Sequence, residues 1–202
     1  VETGDGRCYL DCLSCGLIHL HPDHHPLPDD ERAHYDTHEN DPEDPRYRAF
    51  LARLADPLLA RLDRGTEGLD YGAGPGPTLS RMLAERGHPT EIWDPFFAPD
   101  PAMLARRYDF VSCTETAEHF HHPRQEFERL DALLRPAGLL AVMTVMYSDD
   151  AITGDEFATW WYRRDPTHVS FYRRRTFRWI AEWLGWTAEL PRPNVALLGK
   201  PP

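Results

Sequence analysis

The sequence predicts an α/β fold: an open, mostly parallel sheet with helices on both faces, preceded by an irregular amino-terminal arm. Three observations carry this. From Gly68 onward, short apolar runs alternate with stretches that repeat apolar residues at helical spacing, the order that builds parallel sheets. The longest apolar run, over residues 139–145, fits a strand buried on both faces at the centre of such a sheet. A glycine-rich turn links the first short run to the helix after it, at the place where open α/β sheets bind ligands.

In chain order, residues 1–45 hold Cys8, Cys12 and Cys15 and then a stretch rich in His, Pro and Asp with almost no apolar periodicity. That reads as an arm laid over a domain. The domain, residues 46–202, begins with a helix capped by Asp44, with Pro45 in the first helical position. Phe50, Leu51 and Leu54 lie on its apolar face. Asp56-Pro57 repeats the cap-and-proline device, which predicts a break and a second helix carrying Leu58, Leu59 and Leu62. A strand over 68–71, the glycine turn, and a helix with Leu79, Met82 and Leu83, stopped at Gly87, come next. Strands follow at 90–93 and, after a Pro-rich connection, at 109–114. Pro123 opens a helix with Phe127, Leu130, Leu133 and Leu134, which Pro136-Ala137-Gly138 ends before the central run. Residues 175–184 put Phe177, Ile180, Ala181 and Leu184 on one helical face closed by Gly185. Strands near 186–190 and 195–198 finish the chain.

The 202 residues hold 22 Lys and Arg against 33 Asp and Glu, a formal charge of −11. This argues against a general polyanion binder, which needs clustered cations to neutralise phosphates. With 41% apolar and 11% aromatic residues the chain can bury a core. No apolar run approaches the roughly 20 residues of a membrane span. Four cysteines in such a chain do not suggest a disulfide scaffold, so a reducing, cytoplasmic setting is expected. The oligomeric state is not readable.

The run Gly68-Leu69-Asp70-Tyr71-Gly72-Ala73-Gly74-Pro75-Gly76 is the most informative. Its glycines let the backbone approach a ligand closely. A dinucleotide turn wants Gly-x-Gly-x-x-Gly, with a pyrophosphate on the helix N-terminus. Here the third glycine comes one residue early, and Asp70 stands two residues before the first. S-adenosylmethionine has no phosphate but carries an ammonium group that a strand-end carboxylate can attract. Asp94 ends the next strand, where a carboxylate can accept hydrogen bonds from both ribose hydroxyls of an adenosine.

At this point the chain resembles the class I S-adenosylmethionine-dependent methyltransferases, over roughly residues 35–198. It looks like the bacterial group of small methyltransferases that begin with a zinc-ribbon-like segment. The matching pieces are Cys12-x-x-Cys15-Gly16-Leu17-Ile18, Tyr35-x-x-His38-Glu39-Asn40, the Asp70 turn, Asp94-Pro95-Phe96-Phe97, Glu115-x-x-Glu118-His119, and Asp165-Pro166-Thr167-His168. The resemblance implies a Rossmann-like sheet of seven strands with the last antiparallel. The third is poorly marked, because Pro99 and Pro101 precede Met103-Leu104 in its place. It also implies that Gly72, Ala73, Gly74 and Gly76 line the methionine part of the cofactor. Asp94 would hold the ribose, with Pro95 and Phe96 against the adenine, and Thr114 and Glu115 would floor the sulfonium. Tyr35 and His38 would close over the cofactor from the arm, or stand in a solvated loop.

The acceptor side is less sharply drawn. A hydroxyl must lose its proton as it attacks the methyl, and histidine suits that task near neutral pH. His168, in the stretch between the central strand and the last helix, is the first candidate for base, with Asp165 to orient it; His119 is the second. Either is equally well read as a structural anchor. Trp160, Trp161, Tyr162, Phe171 and Tyr172 wall a dry pocket or fill the core. Arg163, Arg164, Arg173, Arg174, Arg175 and Arg178 draw an anionic acceptor or form a solvated face.

One Cys-x-x-Cys knuckle, Cys12 and Cys15, does not complete a zinc tetrahedron. A degenerate ribbon without zinc is the favoured reading, with Cys8, His19 and His21 as poorly spaced substitutes. The sequence thus points to methyl transfer onto a small-molecule acceptor, at oxygen. Its rivals are an RNA or other nucleic-acid methyltransferase, which the charge disfavours, a non-catalytic S-adenosylmethionine-binding domain, and a NAD-dependent oxidoreductase, which the early third glycine disfavours.

Overall fold

The computed structural model describes residues 1–37, 41–150 and 154–202. The described elements are strands β1 (Tyr9–Asp11) and β2 (Ile18–Leu20), helices α1 (Pro28–Tyr35) and α2 (Pro45–Leu59), β3 (Gly68–Tyr71), α3 (Thr78–Glu85) and β4 (Thr90–Trp93). Then come α4 (Pro101–Leu104), β5 (Tyr108–Thr114), α5 (Pro123–Leu133), β6 (Leu134–Met143), α6 (Asp155–Thr159), β7 (Ser170–Phe171), α7 (Arg174–Leu184), β8 (Thr187–Arg192) and β9 (Val195–Gly199).

Among the described residues the main sheet has six strands in the order β4-β3-β5-β6-β9-β8. The pairs from β4 to β6 are parallel, and β9 runs antiparallel to both its neighbours, so the expected antiparallel last strand is present. The seventh strand is not among them. Where it was expected, Asp100 caps the short helix α4, accepting from the Ala102 N–H at 2.9 Å. Prolines 99 and 101 lack the N–H that a ladder requires, so β4 remains the edge.

Period-two alternation places the core. Phe110, Ala141, Met143, Val195 and Leu197 face Leu51, Leu54 and Leu58 of α2 and Leu79 and Leu83 of α3. Their neighbours Val111, Cys113, Leu140, Val142, Ala196 and Leu198 face Phe127 and Leu130 of α5 and Phe177 and Ile180 of α7. Cys113 is therefore packing material.

Two boundaries differ from the sequence reading. No break occurs at Pro57: α2 runs through it, and the Ala60 N–H still reaches the Asp56 carbonyl at 3.1 Å. One missing donor in the last turn costs less than exposing Leu58, which is fully buried. Leu62 packs on the same core from beyond the helix. Leu134 belongs to β6 rather than to α5. Pro136-Ala137-Gly138 lies inside that strand as an irregularity, with Ala137 at φ 62° and the register shifted between Tyr108 and Phe110.

The amino-terminal segment is not irregular throughout. β1 and β2 form a hairpin, and β2 pairs antiparallel with β7, so that three short strands make a second sheet. Tyr9, Ile18, Leu20, Phe157 and Phe171, all wholly buried, form its core. Strands of two and three residues are too short to show a period, which is why the sequence reads as an arm. Arg173, 1% exposed, ties the hairpin to the domain. It donates to the Gly16 carbonyl at 2.8 Å, the Ser148 carbonyl at 3.1 Å and the Asp11 carboxylate at 3.0 Å. None of the described helices is long and apolar enough to cross a membrane.

Arg173→Ala leaves the buried Gly16 carbonyl and Asp11 without this donor and opens a hole beside Tyr147. It is expected to lower stability by about 3 kcal/mol in urea unfolding, with loss of protection in the hairpin by hydrogen exchange. An unchanged midpoint would show that the hairpin is not anchored this way.

Candidate functional site

The carboxyl ends of β3, β4 and β5 open into one cavity of about 610 Å³, within the range of small-molecule sites. Tyr35, Asp70, Gly72, Ala73, Gly74, Gly76, Asp94, Pro95, Phe96, Thr114, Glu115, His119 and His168 all line it. His38 lies outside the described residues.

Asp70 sits within β3, 4% exposed, and accepts from the Ser112 hydroxyl of β5 at 2.8 Å. Burial pushes its carboxyl up to about 6, against the pull of that hydrogen bond, and the neighbouring Asp94 adds to the rise. Asp94, 6% exposed, follows β4. One oxygen accepts from the N–H groups of Phe96 and Phe97 at 2.8 and 3.0 Å, the other from Gly74 at 2.9 Å. The acid therefore folds its own loop and ties it to the glycine turn, and of about four acceptor sites one is left. This network was not legible from spacing.

The turn needs its glycines. Gly72 and Gly74 adopt φ of 79° and 65°. A Cβ on Gly72 would also overlap the Thr116 side chain, whose hydroxyl donates to the Gly72 carbonyl at 3.2 Å. Tyr71 stacks on Trp93 at 4.6 Å beneath the turn. Tyr35, at the end of α1, stands 5.5 Å from the Phe96 ring and 5.3 Å from that of His119, so the amino-terminal segment does reach the cavity. Tyr47 and Phe50 of α2 line it as well; their start-of-helix position carried no signal for this.

Beyond β5 the chain turns sharply. Glu115 has φ 48°, a left-handed conformation costly for this residue type. A 3-10 turn, Ala117–His119, follows. Burial and the nearby Glu118 push the Glu115 carboxyl up to about 9. Glu118 is wholly buried, accepts from the Tyr162 hydroxyl, and is likewise pushed up by burial. His168, 8% exposed, donates from Nδ1 to the Tyr162 carbonyl at 2.7 Å. Burial lowers its pKa against the upward pull of Glu118, and with Nδ1–H on a carbonyl the neutral ring carries its lone pair on Nε2. The rings of His119 and His168 meet edge to face at 4.8 Å, and His119 Nδ1 donates to the Thr167 carbonyl at 3.0 Å.

Asp165 does not hold the His168 ring by a hydrogen bond. Its nearer oxygen is 3.9 Å from Nε2, while Thr167 donates to it from backbone and hydroxyl and His34 lies at 3.2 Å. Against the cost of burial, the Thr167 hydrogen bonds hold its carboxyl down at about 2. Tyr162, Phe171 and Tyr172 are buried core, whereas Trp161 is exposed. None of the six arginines singled out lines the cavity: Arg163 and Arg173 are buried on Asp5 and Asp11 instead.

Cys12 and Cys15 face each other at the β1–β2 hairpin tip, away from the cavity. His19 turns to Ser170 at 3.0 Å and His21 to Asp23. Among the described residues, no third ligand-type side chain joins the two thiols; the group of three that converges is Glu118, His119 and His168. The cysteine pair does not fit a structural zinc.

The buried Asp70 carboxyl binds its proton more tightly in the folded chain than its ordinary value of 3.8 allows in the unfolded one. Between pH 4 and 6 the folded state thus holds the extra proton, and stability falls as pH rises through that window. Asp70→Asn removes this slope. In urea unfolding the variant is expected to gain on the parent by on the order of 2 kcal/mol between pH 4 and 7.5. Parallel pH profiles for the two proteins would contradict the assignment.

Residues 43–190 match the methyltransferase-domain family. Over 147 residues the chain is 27% identical to the ubiquinone biosynthesis O-methyltransferase of Cronobacter sakazakii, covering 70% of this chain but 58% of that protein. Among solved structures it is similar to the 1,6-didemethyltoxoflavin-N1-methyltransferase of Burkholderia thailandensis, which holds 1,6-didemethyltoxoflavin and S-adenosylhomocysteine. The TM-score is 0.62 at 18% identity over 97% of this chain and 99% of that one. An O-methyltransferase family protein from the same organism matches with TM-score 0.55 at 17% identity, over 88% and 64% of the two chains. The family match begins at residue 43, past the zinc-ribbon-like start, and the fold, the strand-end cavity and the match over most of its length agree: this chain belongs to the methyltransferase-domain family, with the class I S-adenosylmethionine-dependent architecture.

Proposed function

We propose that the chain transfers a methyl group from S-adenosylmethionine to an oxygen of a small-molecule acceptor. The observation that carries this reading is the pair Asp70 and Asp94, both buried, both lining one cavity, with the glycine turn between them. A cationic nucleoside donor suits two desolvated carboxylates, one of which is kept from full ionisation by its burial. Bound there, the donor supplies an electrophilic methyl on its sulfonium. Asp70 attracts the ammonium end. Gly72, Ala73, Gly74 and Gly76 allow close approach of the methionine part, and Asp94 takes a ribose hydroxyl at its remaining acceptor site. Pro95 and Phe96 flank the adenine, Thr114 and Glu115 floor the sulfonium, and Tyr35 covers the donor.

His168 faces the acceptor end. Its Nδ1–H is fixed on the Tyr162 carbonyl, so Nε2 accepts the hydroxyl proton as the oxygen attacks; His119 beside it positions the acceptor. The C. sakazakii relative is named for an O-methyl transfer, and the B. thailandensis structure holds a small aromatic substrate. Both support an acceptor of that size. The charge of −11 and the absence of the arginine cluster from the cavity weigh against a nucleic acid.

Calorimetry with S-adenosylmethionine, S-adenosylhomocysteine and NAD tests the reading. The first two are expected to bind and NAD not to. Affinity for S-adenosylmethionine should rise about tenfold from pH 5 to pH 7 as Asp70 ionises, a rise that Asp70→Asn abolishes. His168→Ala should keep S-adenosylhomocysteine binding and lose at least about 100-fold in the rate of product formation over a panel of small hydroxylated acceptors. Binding of NAD alone, or of none of the three, would refute it.

A further inference from the structure

The proposed reading uses the two imidazoles and leaves Glu118 unexplained. That residue is wholly buried, and only one of its oxygens is engaged, by the Tyr162 hydroxyl; the other, Oε2, has no hydrogen-bond partner. Oε1 of the adjacent Glu115 is buried and unpartnered as well, although Arg53 offsets part of the charge there. Two carboxylates in one dry wall oppose each other's ionisation, and leaving them so is costly unless a cation enters.

The histidines beside them are arranged as ligands. Glu118, His119 and His168 each offer one donor atom, and the three atoms lie within 4.8 Å of one another. Both rings give their Nδ1–H to a backbone carbonyl, His168 to Tyr162 and His119 to Thr167. This leaves the lone pair of each on Nε2. Such a bond from the far nitrogen to a carbonyl is the support that metal-binding histidines ordinarily have, because it fixes the tautomer and aims the ring. All three residues line the cavity.

We infer that Glu118, His119 and His168 bind a divalent transition-metal ion at the acceptor end of the cavity. Two imidazoles and one carboxylate favour Zn²⁺, Mn²⁺ or Co²⁺ over Mg²⁺ and Ca²⁺, which prefer all-oxygen surroundings. Closing the three donors onto one ion needs side-chain movements on the scale of an ångström, since zinc–nitrogen bonds are about 2.0–2.1 Å. The ion's role, but not its binding, rests on the methyl-transfer reading. With an ion present, His168 Nε2 serves as ligand, and the positive charge rather than the imidazole acidifies the acceptor hydroxyl. The O–H proton passes to water, the oxygen pair forms the new C–O bond, and the C–S pair stays on sulfur in the thioether product.

The test titrates the full chain, stripped of metal with a chelator and dialysed, with ZnCl₂ and MnCl₂ by calorimetry, and with CoCl₂ by visible absorption. S-adenosylhomocysteine binding is measured on every sample. One equivalent of Zn²⁺ is expected, weakened at least 100-fold by Glu118→Gln and by His168→Ala and unchanged by the double variant Cys12→Ser, Cys15→Ser. If His168→Ala fails to bind S-adenosylhomocysteine, and so has not folded, His119→Gln at its half-buried position is read instead, with the same expected loss. The inference is overturned if the parent binds no Zn²⁺ or Co²⁺, or if binding survives the histidine and Glu118 variants and vanishes with the cysteines. Failure of metal binding with S-adenosylhomocysteine still bound leaves the methyl-transfer reading standing. Metal binding without S-adenosylhomocysteine binding would refute that reading and leave this site.

Discussion

Two carboxylates buried side by side at the tips of β3 and β4 are the constraint around which the rest of the site is arranged. Burying an acid is unfavourable unless hydrogen bonds replace its water. Asp94 meets that requirement with three backbone N–H groups from its own loop and from Gly74. Asp70 meets it only in part, with the Ser112 hydroxyl and the Ser80 backbone, and its raised pKa reports the shortfall. The glycine turn is held between them by the same interactions, and Gly72 cannot carry a side chain because Thr116 fills the space. This side of the cavity is thus fixed by backbone geometry that the two acids enforce.

The opposite end is built differently. Its side chains come from the turn after β5 and from the segment before β7, and the amino-terminal hairpin fastens that segment through β2–β7 pairing. Arg173 locks the hairpin from below, and α1 delivers Tyr35 against both Phe96 and His119. Here the amino-terminal residues are a wall of the site rather than an appendage, although their two cysteines sit at the far tip. The histidines, Glu118 and Tyr162 then form one connected network: the Tyr162 hydroxyl donates to Glu118, its carbonyl accepts from His168 Nδ1, and the His119 and His168 rings meet edge to face.

Much of this was legible in the residues themselves. Asp44-Pro45 marks a helix start by a local mechanism, and the observed cap is made by the Asp44 carboxylate on the Arg46 N–H. The apolar runs of β5, β6 and β9 announce buried strands, and the glycine turn with its two acids names the cavity's position. What could not be read depends on partners distant in sequence. The strands β1, β2 and β7 exist because they pair with each other across some 150 residues. Pro57 stays helical because Leu58 is committed to the core. Asp165 looked like the natural partner of His168, but local Thr167 hydrogen bonds claim it, and a backbone carbonyl orients the ring instead. Asp94's three N–H bonds likewise arise from a loop conformation that no spacing rule encodes.

In the proposed reaction Asp70 and Asp94 hold opposite ends of one charged nucleoside. A crystal structure of the chain with S-adenosylhomocysteine measures this directly. It is predicted to show a ribose hydroxyl within hydrogen-bond distance of the Asp94 carboxylate, the amino-acid end beside Asp70, and the sulfur directed toward His119 and His168. A thioether bound elsewhere, or one whose ribose and ammonium touch neither acid, would contradict it.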